Sequence, residues 1–384
     1  MINKKINKVY SKVLSIYFIF NIARVLPHAI LTSYLFSNGM SVGDIALIQI
    51  SYMIAVILLE FPSGVLSDLW SRKYVFILGA FLVGISYALI PHIELVQGYC
   101  LLWFLYGVGM AFISGTLDND VILYFKKNKE DEFIPIFNTL LQKYFFISSF
   151  IGGIIGGYIY LNINSKIYII SFIIIMLSIL ITFTYNIKED PNLEKENFKV
   201  SSFFKNILKD KNLIKVILFT LTLTIFTTIF FQFWQILFLE KCIDIKFFGI
   251  SYGLFQIMGI VASKLYIHIY KKKYNISIIY IILLSLIFLI TLSNDLMFFL
   301  FFLLMIMSFY IIQNHTMGVY KKEISSKNIS ASTSLLGSMQ SIFSILILIL
   351  IYVLSRFLNV DNIFLILLLS FVFFNGLLLY IIEK

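Results

Sequence analysis

Gly64-Val-Leu-Ser-Asp68-Leu-Trp-Ser-Arg72-Lys73 is a short charged stretch between two long apolar runs, roughly 42–63 and 74–91. Each run is long enough to cross a bilayer as a helix, which takes about 20 apolar residues. A charged segment this short cannot form a domain. It reads as a tight connection at a membrane face, with its charges where lipid ends.

The rest of the chain repeats the pattern. Hydrophobic residues make up 60% of the 384, and charged residues only 13%. Soluble domains carry about 25% charged residues, so a soluble fold is excluded. The apolar runs are continuous, as in Ile167–Phe183 and Phe298–Tyr310. A β-barrel would instead alternate polarity over about ten residues per strand. Helices satisfy their own backbone in lipid, and unbroken runs favour them. The fold class read here is an all-α integral membrane protein with twelve spans, near 12–36, 42–66, 74–91, 96–119, 134–160, 164–187, 213–239, 247–270, 276–293, 296–318, 330–356 and 361–382.

The net charge of +10 could suggest a nucleic-acid partner, but its distribution does not. If the chain starts inside and crosses twelve times, 23 of the 30 Lys and Arg fall on one side. Four fall on the other side: Lys166, Lys241, Lys246 and Arg356. By the positive-inside rule both termini are expected in the cytoplasm. The apolar stretch after the basic N-terminus exceeds a signal-peptide core, so no cleaved leader is expected. Cys100 and Cys242 define neither a disulfide framework nor a metal site.

A polar stretch from Lys188 to Lys215 interrupts the apolar pattern near the middle. It divides the chain into a six-helix bundle at 1–187, a linker at 188–212 and a second bundle at 213–384. Residues 201–209 alternate apolar residues and lysines at helical spacing, as an amphipathic helix on the membrane surface would. The halves echo each other at an offset near 200 residues. Asp44 matches Asp244, Ser63 matches Ser263, and Arg72-Lys73 match Lys272-Lys273. Gly64 and Asp68, however, become Lys264 and His268.

The pattern Gly-x-Leu-x-Asp-x-x-x-Arg-Lys between the second and third spans resembles the signature loop of major facilitator superfamily transporters. Leu59-Glu60-Phe61-Pro62-Ser63-Gly64, running into Asp68, resembles the Glu-x-Pro-Ser-Gly-x-x-x-Asp stretch of bacterial, efflux-like members. The resemblance implies two parallel six-helix repeats with a substrate site between them near the midplane. It also implies a conformational latch built from Gly64, Asp68, Arg72 and Lys73. Asp68 would face the start of the eleventh span at Ser330-Ala-Ser-Thr333. Arg72 would pair with an acid at the end of the fourth span, either Asp118 or Asp120. Ser71 stands where the family usually has Gly. Gly152-Gly153-Ile-Ile-Gly156-Gly157 is similar to an antiporter helix-packing motif, with Gly153 where that motif has Pro. The Arg of the drug antiporters' fourth span is replaced by Trp103, ahead of Gly107.

Several charges lie inside spans, where they are costly and seldom idle. Arg24 sits twelve residues into the first span, ~18 Å deep at 1.5 Å per residue. It must pair with a carboxylate, line a wet cavity or bind an anionic group. Glu60 is its nearest candidate partner in depth. Pro27 and His28 follow within one turn, so a kink is expected there. Position 224, the repeat counterpart of Arg24, is Thr, unlike the paired arginines expected of an organic-phosphate exchanger. Lys143 lies about nine residues into the fifth span, in reach of whichever acid the latch leaves free. His315, beside Gln313 and Asn314 in the tenth span, can titrate near neutral pH. Lys264, His268, Gln232, Gln235, Gln256 and Gln340 are weaker candidates for lining a cavity.

No Walker loop, dinucleotide fingerprint or His-Glu-x-x-His is present. The chain is therefore expected not to be an enzyme and to use no cofactor or metal. The combined reading is a monomeric, multi-pass secondary transporter of the plasma membrane. It would export a small hydrophobic or amphiphilic compound in exchange for protons, through a network of Arg24, Glu60, Asp118, Asp120 and Lys143. Nutrient uptake and a non-transporting immunity or receptor role are the alternatives.

Overall fold

The computed structural model describes residues 2–130, 133–185, 211–271, 276–292, 295–323, 329–358 and parts of 362–371. The expected linker and its amphipathic helix at 201–209 lie outside them. So do the side chain of Asp68, the surroundings of Gly64 and the side chains at 330–333.

The described residues are helical nearly throughout. The α-helices are α1 (Ile2–Val25), α2 (Leu31–Ser37), α3 (Val42–Leu69), α4 (Arg72–Leu89), α5 (Val96–Ile113), α6 (Leu117–Lys127), α7 (Phe133–Ile163) and α8 (Ile167–Phe183). Then come α9 (Lys211–Phe226), α10 (Gln232–Glu240), α11 (Phe248–Lys271), α12 (Ile276–Leu292), α13 (Asp295–Glu323) and α14 (Ile329–Leu354). Among the described residues, eight stretches are apolar and long enough to cross a membrane. Leu140–Phe183, at 44 residues, holds two helices joined by the turn Asn164–Lys166. The expected last span, 361–382, lies largely outside the described residues.

Three expected spans are interrupted. The first stops at Val25 and resumes at Leu31, because Pro27 cannot donate to a preceding carbonyl. The fourth stops at Ile113, where Gly115 adopts φ +66°, a left-handed conformation that costs a glycine little. The seventh carries a π-helical turn at Thr227–Phe231. At the 200-residue offset that turn falls on the break in the first span, so the first helix of each half is disturbed at matching sequence positions. Such π turns concentrate at functional sites.

The chain divides into two compact units, one of Met1–Pro191 with Asp244–Gln256, the other of Asn192–Ile243 with Ile257–Lys384. In the first unit, α3 packs on α5, α5 on α4 and α4 on α8, while α1 lies against α7 and α8. Polar locks fix this arrangement. Ser41 and Asp44 form a reciprocal capping box at the start of α3, with bonds of 3.1 and 2.9 Å. At the repeat position, Asp244 accepts the Lys246 N–H at 3.0 Å and opens a turn before α11. Lys12 and Lys73 both donate to the last carbonyls of α8, Thr184 and Phe183, where a cation also meets the negative end of the helix dipole.

Ser63 donates across to the Ala111 carbonyl at 2.8 Å, joining α3 to α5. In the second unit its counterpart Ser263 accepts from Asn314 at 3.3 Å, joining α11 to α13. There α9 packs on α13 and α14, and α12 on α13.

Candidate functional site

The first unit encloses a cavity of about 620 Å³ between α1, α5, α6 and α7. Its walls are largely aromatic and aliphatic, with Phe18, Phe20, Tyr144 and Phe145 facing Met110, Ile113 and Leu141. Two charged groups interrupt them, Arg24 and Asp118.

Arg24 stands one residue before the end of α1. Its Nε and Nη2 both donate to the Asn21 Oδ1, at 3.2 and 2.9 Å. These residues are three apart, so they share one helix face. Asn21 is itself pinned. Its amide nitrogen donates to Ser148 Oγ at 2.7 Å, Ser149 Oγ at 2.9 Å and the Phe145 carbonyl at 3.2 Å. Phe145 also lies under the guanidinium, 5.8 Å from it. The hydroxyls of Tyr87, Tyr106 and Tyr252 come within electrostatic reach on other sides. Tyr87 donates to the Arg24 carbonyl at 2.8 Å, capping the helix where the Pro27 break frees it. Tyr106 stacks on Trp103 at 5.1 Å, so the residue that replaces the drug antiporters' arginine props up a neighbour of Arg24.

No carboxylate pairs with Arg24 among the described residues, so the expected partnership with Glu60 is not formed. The cause is packing: α1 lies on α7 and α8, while α3 lies on α5. Equal depth in the membrane did not put the two residues on facing surfaces. Glu60 is half-buried, and its carboxylate makes no hydrogen bond or ion pair among the described residues. Tyr52 lies within electrostatic reach of both Glu60 and Arg24.

The two acids of α6 part company. Residues two apart on a helix point about 200° apart. Asp118 turns to the cavity and accepts a hydrogen bond from Tyr17 at 2.9 Å. Asp120 turns away and pairs with Arg72 at 3.2 Å, with only 4% and 15% of the side chains exposed. Lys143 is exposed on α7 and pairs with neither acid.

The glycines of α7 work in two pairs. A Cβ on Gly152 would meet the Ile22 carbonyl of α1, 3.0 Å away, and one on Gly156 would collide with the Leu26 carbonyl in the turn after it. A Cβ on Gly153 or Gly157 would meet Tyr252 and Gly249 of α11, 2.6 and 2.7 Å away. Backbone contact on both faces is what small residues in membrane helices permit.

The second unit carries no comparable charge at its repeat position. Thr224 accepts a long 3.5 Å bond from Gln340, and Thr228 donates to Ser344 at 3.2 Å. His315 packs edge-on against Tyr266 at 6.0 Å. Gln235 and Gln256 are buried, whereas Lys264 and His268 are exposed.

The family model of the Major Facilitator Superfamily matches residues 13–347. The chain belongs to this superfamily. An uncharacterised MFS-type transporter of Methanocaldococcus jannaschii is 25% identical over 256 residues. That match spans 65% of this chain and 65% of the relative, just under two thirds of its length. Among solved structures, the nucleoside transporter NupG superposes with a TM-score of 0.81 at 14% identity, covering 98% of this chain and 99% of that one. A bacterial homologue of the iron transporter ferroportin, in an inward-facing state, superposes with a TM-score of 0.73 at 12% identity over 97% and 98%. At such identities these two show the shared fold alone. The chain is thus a multi-pass membrane protein of the major facilitator type.

Proposed function

We propose that this transporter is secondary active and exports a small amphiphilic compound across the plasma membrane in exchange for protons. Twelve spans in two six-helix bundles, with both termini in the cytoplasm, would alternate access to the substrate. The observation that carries the reading is Asp118. It is a carboxylate on the wall of an apolar cavity, held by a neutral tyrosine hydroxyl, with no cation beside it among the described residues. Such a group exchanges a proton as the cavity is wetted or closed, and a substrate in the same cavity would feel the change. Glu60, half-buried and unpaired, is a second site for the proton. The Arg72–Asp120 pair supplies the latch that biases one conformation. The efflux-like signature and the glycine pairs of α7 favour export.

The test is transport in inside-out vesicles with an imposed pH gradient. Asp118→Asn is expected to lower gradient-driven flux at least tenfold while substrate exchange without a gradient persists. Glu60→Gln is expected to have a smaller effect. Gradient-driven flux that survives both substitutions at the parental rate would remove proton coupling. Flux that runs only inward would replace export by uptake.

A further inference from the structure

We infer that the cavity selects an organic anion, a compound with one compact acidic group on a flat apolar body, seated with the acidic group on Arg24. The inference rests on the reading above that this cavity holds the transported compound, and it names the class.

Arg24 is a permanent cation in the last turn of α1, the helix expected to form the first span, since a guanidinium does not lose its proton in proteins. Isolated charges there are expensive and call for a partner. Among the described residues every partner of Arg24 is neutral: the Asn21 amide oxygen, tyrosine hydroxyls and the ring of Phe145. The one carboxylate in the cavity wall among the described residues, Asp118, accepts from Tyr17. Tyr17 precedes Arg24 by seven residues on the same helix, about 10 Å along the axis. That separation leaves the positive end of the cavity without a counter-charge, and a bound anion would supply it.

The guanidinium is also aimed. Asn21 is fixed by Ser148, Ser149 and the Phe145 carbonyl, and so holds the fork through two of its five N–H donors. A pre-set fork loses little entropy on gripping a planar acid bidentately. Beyond it the walls are rings and aliphatic chains, and 620 Å³ suits a ligand of drug size. At the far end Asp118 would repel a second negative charge, which favours monoanions.

The experiment uses the purified full chain and three probes that share one body: 2-naphthylacetate, 2-(2-naphthyl)ethylamine and 2-(2-naphthyl)ethanol. Binding is read by thermal stabilisation and by calorimetry. Naphthylacetate is expected to bind at least tenfold more tightly than the alcohol or the amine. In Arg24→Gln that preference should vanish, leaving acid and alcohol alike. In Arg24→Lys the acid should stay preferred but by a smaller factor, because the charge remains and the fork is lost.

An alcohol or amine that matches the acid on the parental protein overturns the inference, and this comparison needs no variant to fold. An acid preference that persists unchanged in Arg24→Gln overturns it as well. Equilibrium binding is independent of flux. Acid preference without gradient-driven transport would sink the coupling reading and leave the anion site. Proton-driven transport of the amine, with no acid preference, would do the reverse.

Discussion

Gly156→Ala is expected to yield little folded transporter. The added methyl carbon would collide with the Leu26 carbonyl oxygen and lie 2.7 Å from its carbon and 2.9 Å from its Cα. These are backbone atoms of a turn that Pro27 already constrains, so no side-chain rotation relieves the clash. α7 would have to withdraw from α1 by more than an ångström. Withdrawal would stretch the Asn21 bonds to Ser148 and Ser149, which cross the same interface a few residues away. Retreat in the opposite direction is blocked, because Gly157 rests against the Gly249 backbone. Overpacking and lost buried hydrogen bonds together are expected to cost about 3–5 kcal/mol. Thermal melting of the purified protein checks this. The control is Gly337→Ala in α14, where a Cβ meets nothing within 4 Å. There alanine should stabilise by about 0.5–1 kcal/mol through helix propensity alone. Equal melting temperatures for the two variants would show that the α1–α7 contact is looser than drawn.

This interface also shows how far the sequence could be read. The paired glycines of α7 were visible as a close-packing signal, and the structure assigns each pair a neighbour. Their spacing told of small residues on two faces, but nothing in it named α1 and α11. The charged residues behave alike. The depth of Arg24 follows from counting along a helix, because the rise per residue is constant. Its partner does not follow, because that depends on which helix faces it. Glu60 matches Arg24 in depth but lies on a helix packed elsewhere. Asn21 could have been found, since a polar residue three positions before a buried arginine shares its face. Ser148 and Ser149 could not, because they come from a helix some 125 residues away. The breaks differ in the same way. Pro27 announces the first. Gly115 is one glycine among nineteen, and its positive φ, shared with Gly39 among the described glycines, is not written in the sequence. The π turn at Thr227–Phe231 has no local signature and became visible only beside the break in the first half.

Asp120→Asn is the second substitution expected to act strongly. Arg72 opens α4, where the positive end of the helix dipole disfavours a cation. Asp120 lies in the first turn of α6, where an anion is favoured. Their 3.2 Å pair therefore meets the acid's preference and offsets the arginine's misfit in one contact. Its geometry depends on the break at Ser114–Thr116. There Gly115 and the Thr116 hydroxyl, which donates to the Ile113 carbonyl at 2.7 Å, redirect the chain so that α6 presents Asp120 to α4 and Asp118 to the cavity. Removing one partner of a buried pair leaves an uncompensated charge, which costs about 3–5 kcal/mol in a dry site. With Arg72 still 15% exposed, the lower end, about 3 kcal/mol, is expected for Asp120→Asn. Arg72→Gln in the same background should return part of that loss, because the mostly buried cation that faced this carboxylate is then gone. Reversible unfolding of the two single variants and the double variant measures the coupling. Strictly additive losses would mean that the pair is incidental and that another contact holds α4 to α6. If the pair also acts as a latch, the double variant should regain stability without regaining the transport rate. Recovery of both together would make the contact purely structural.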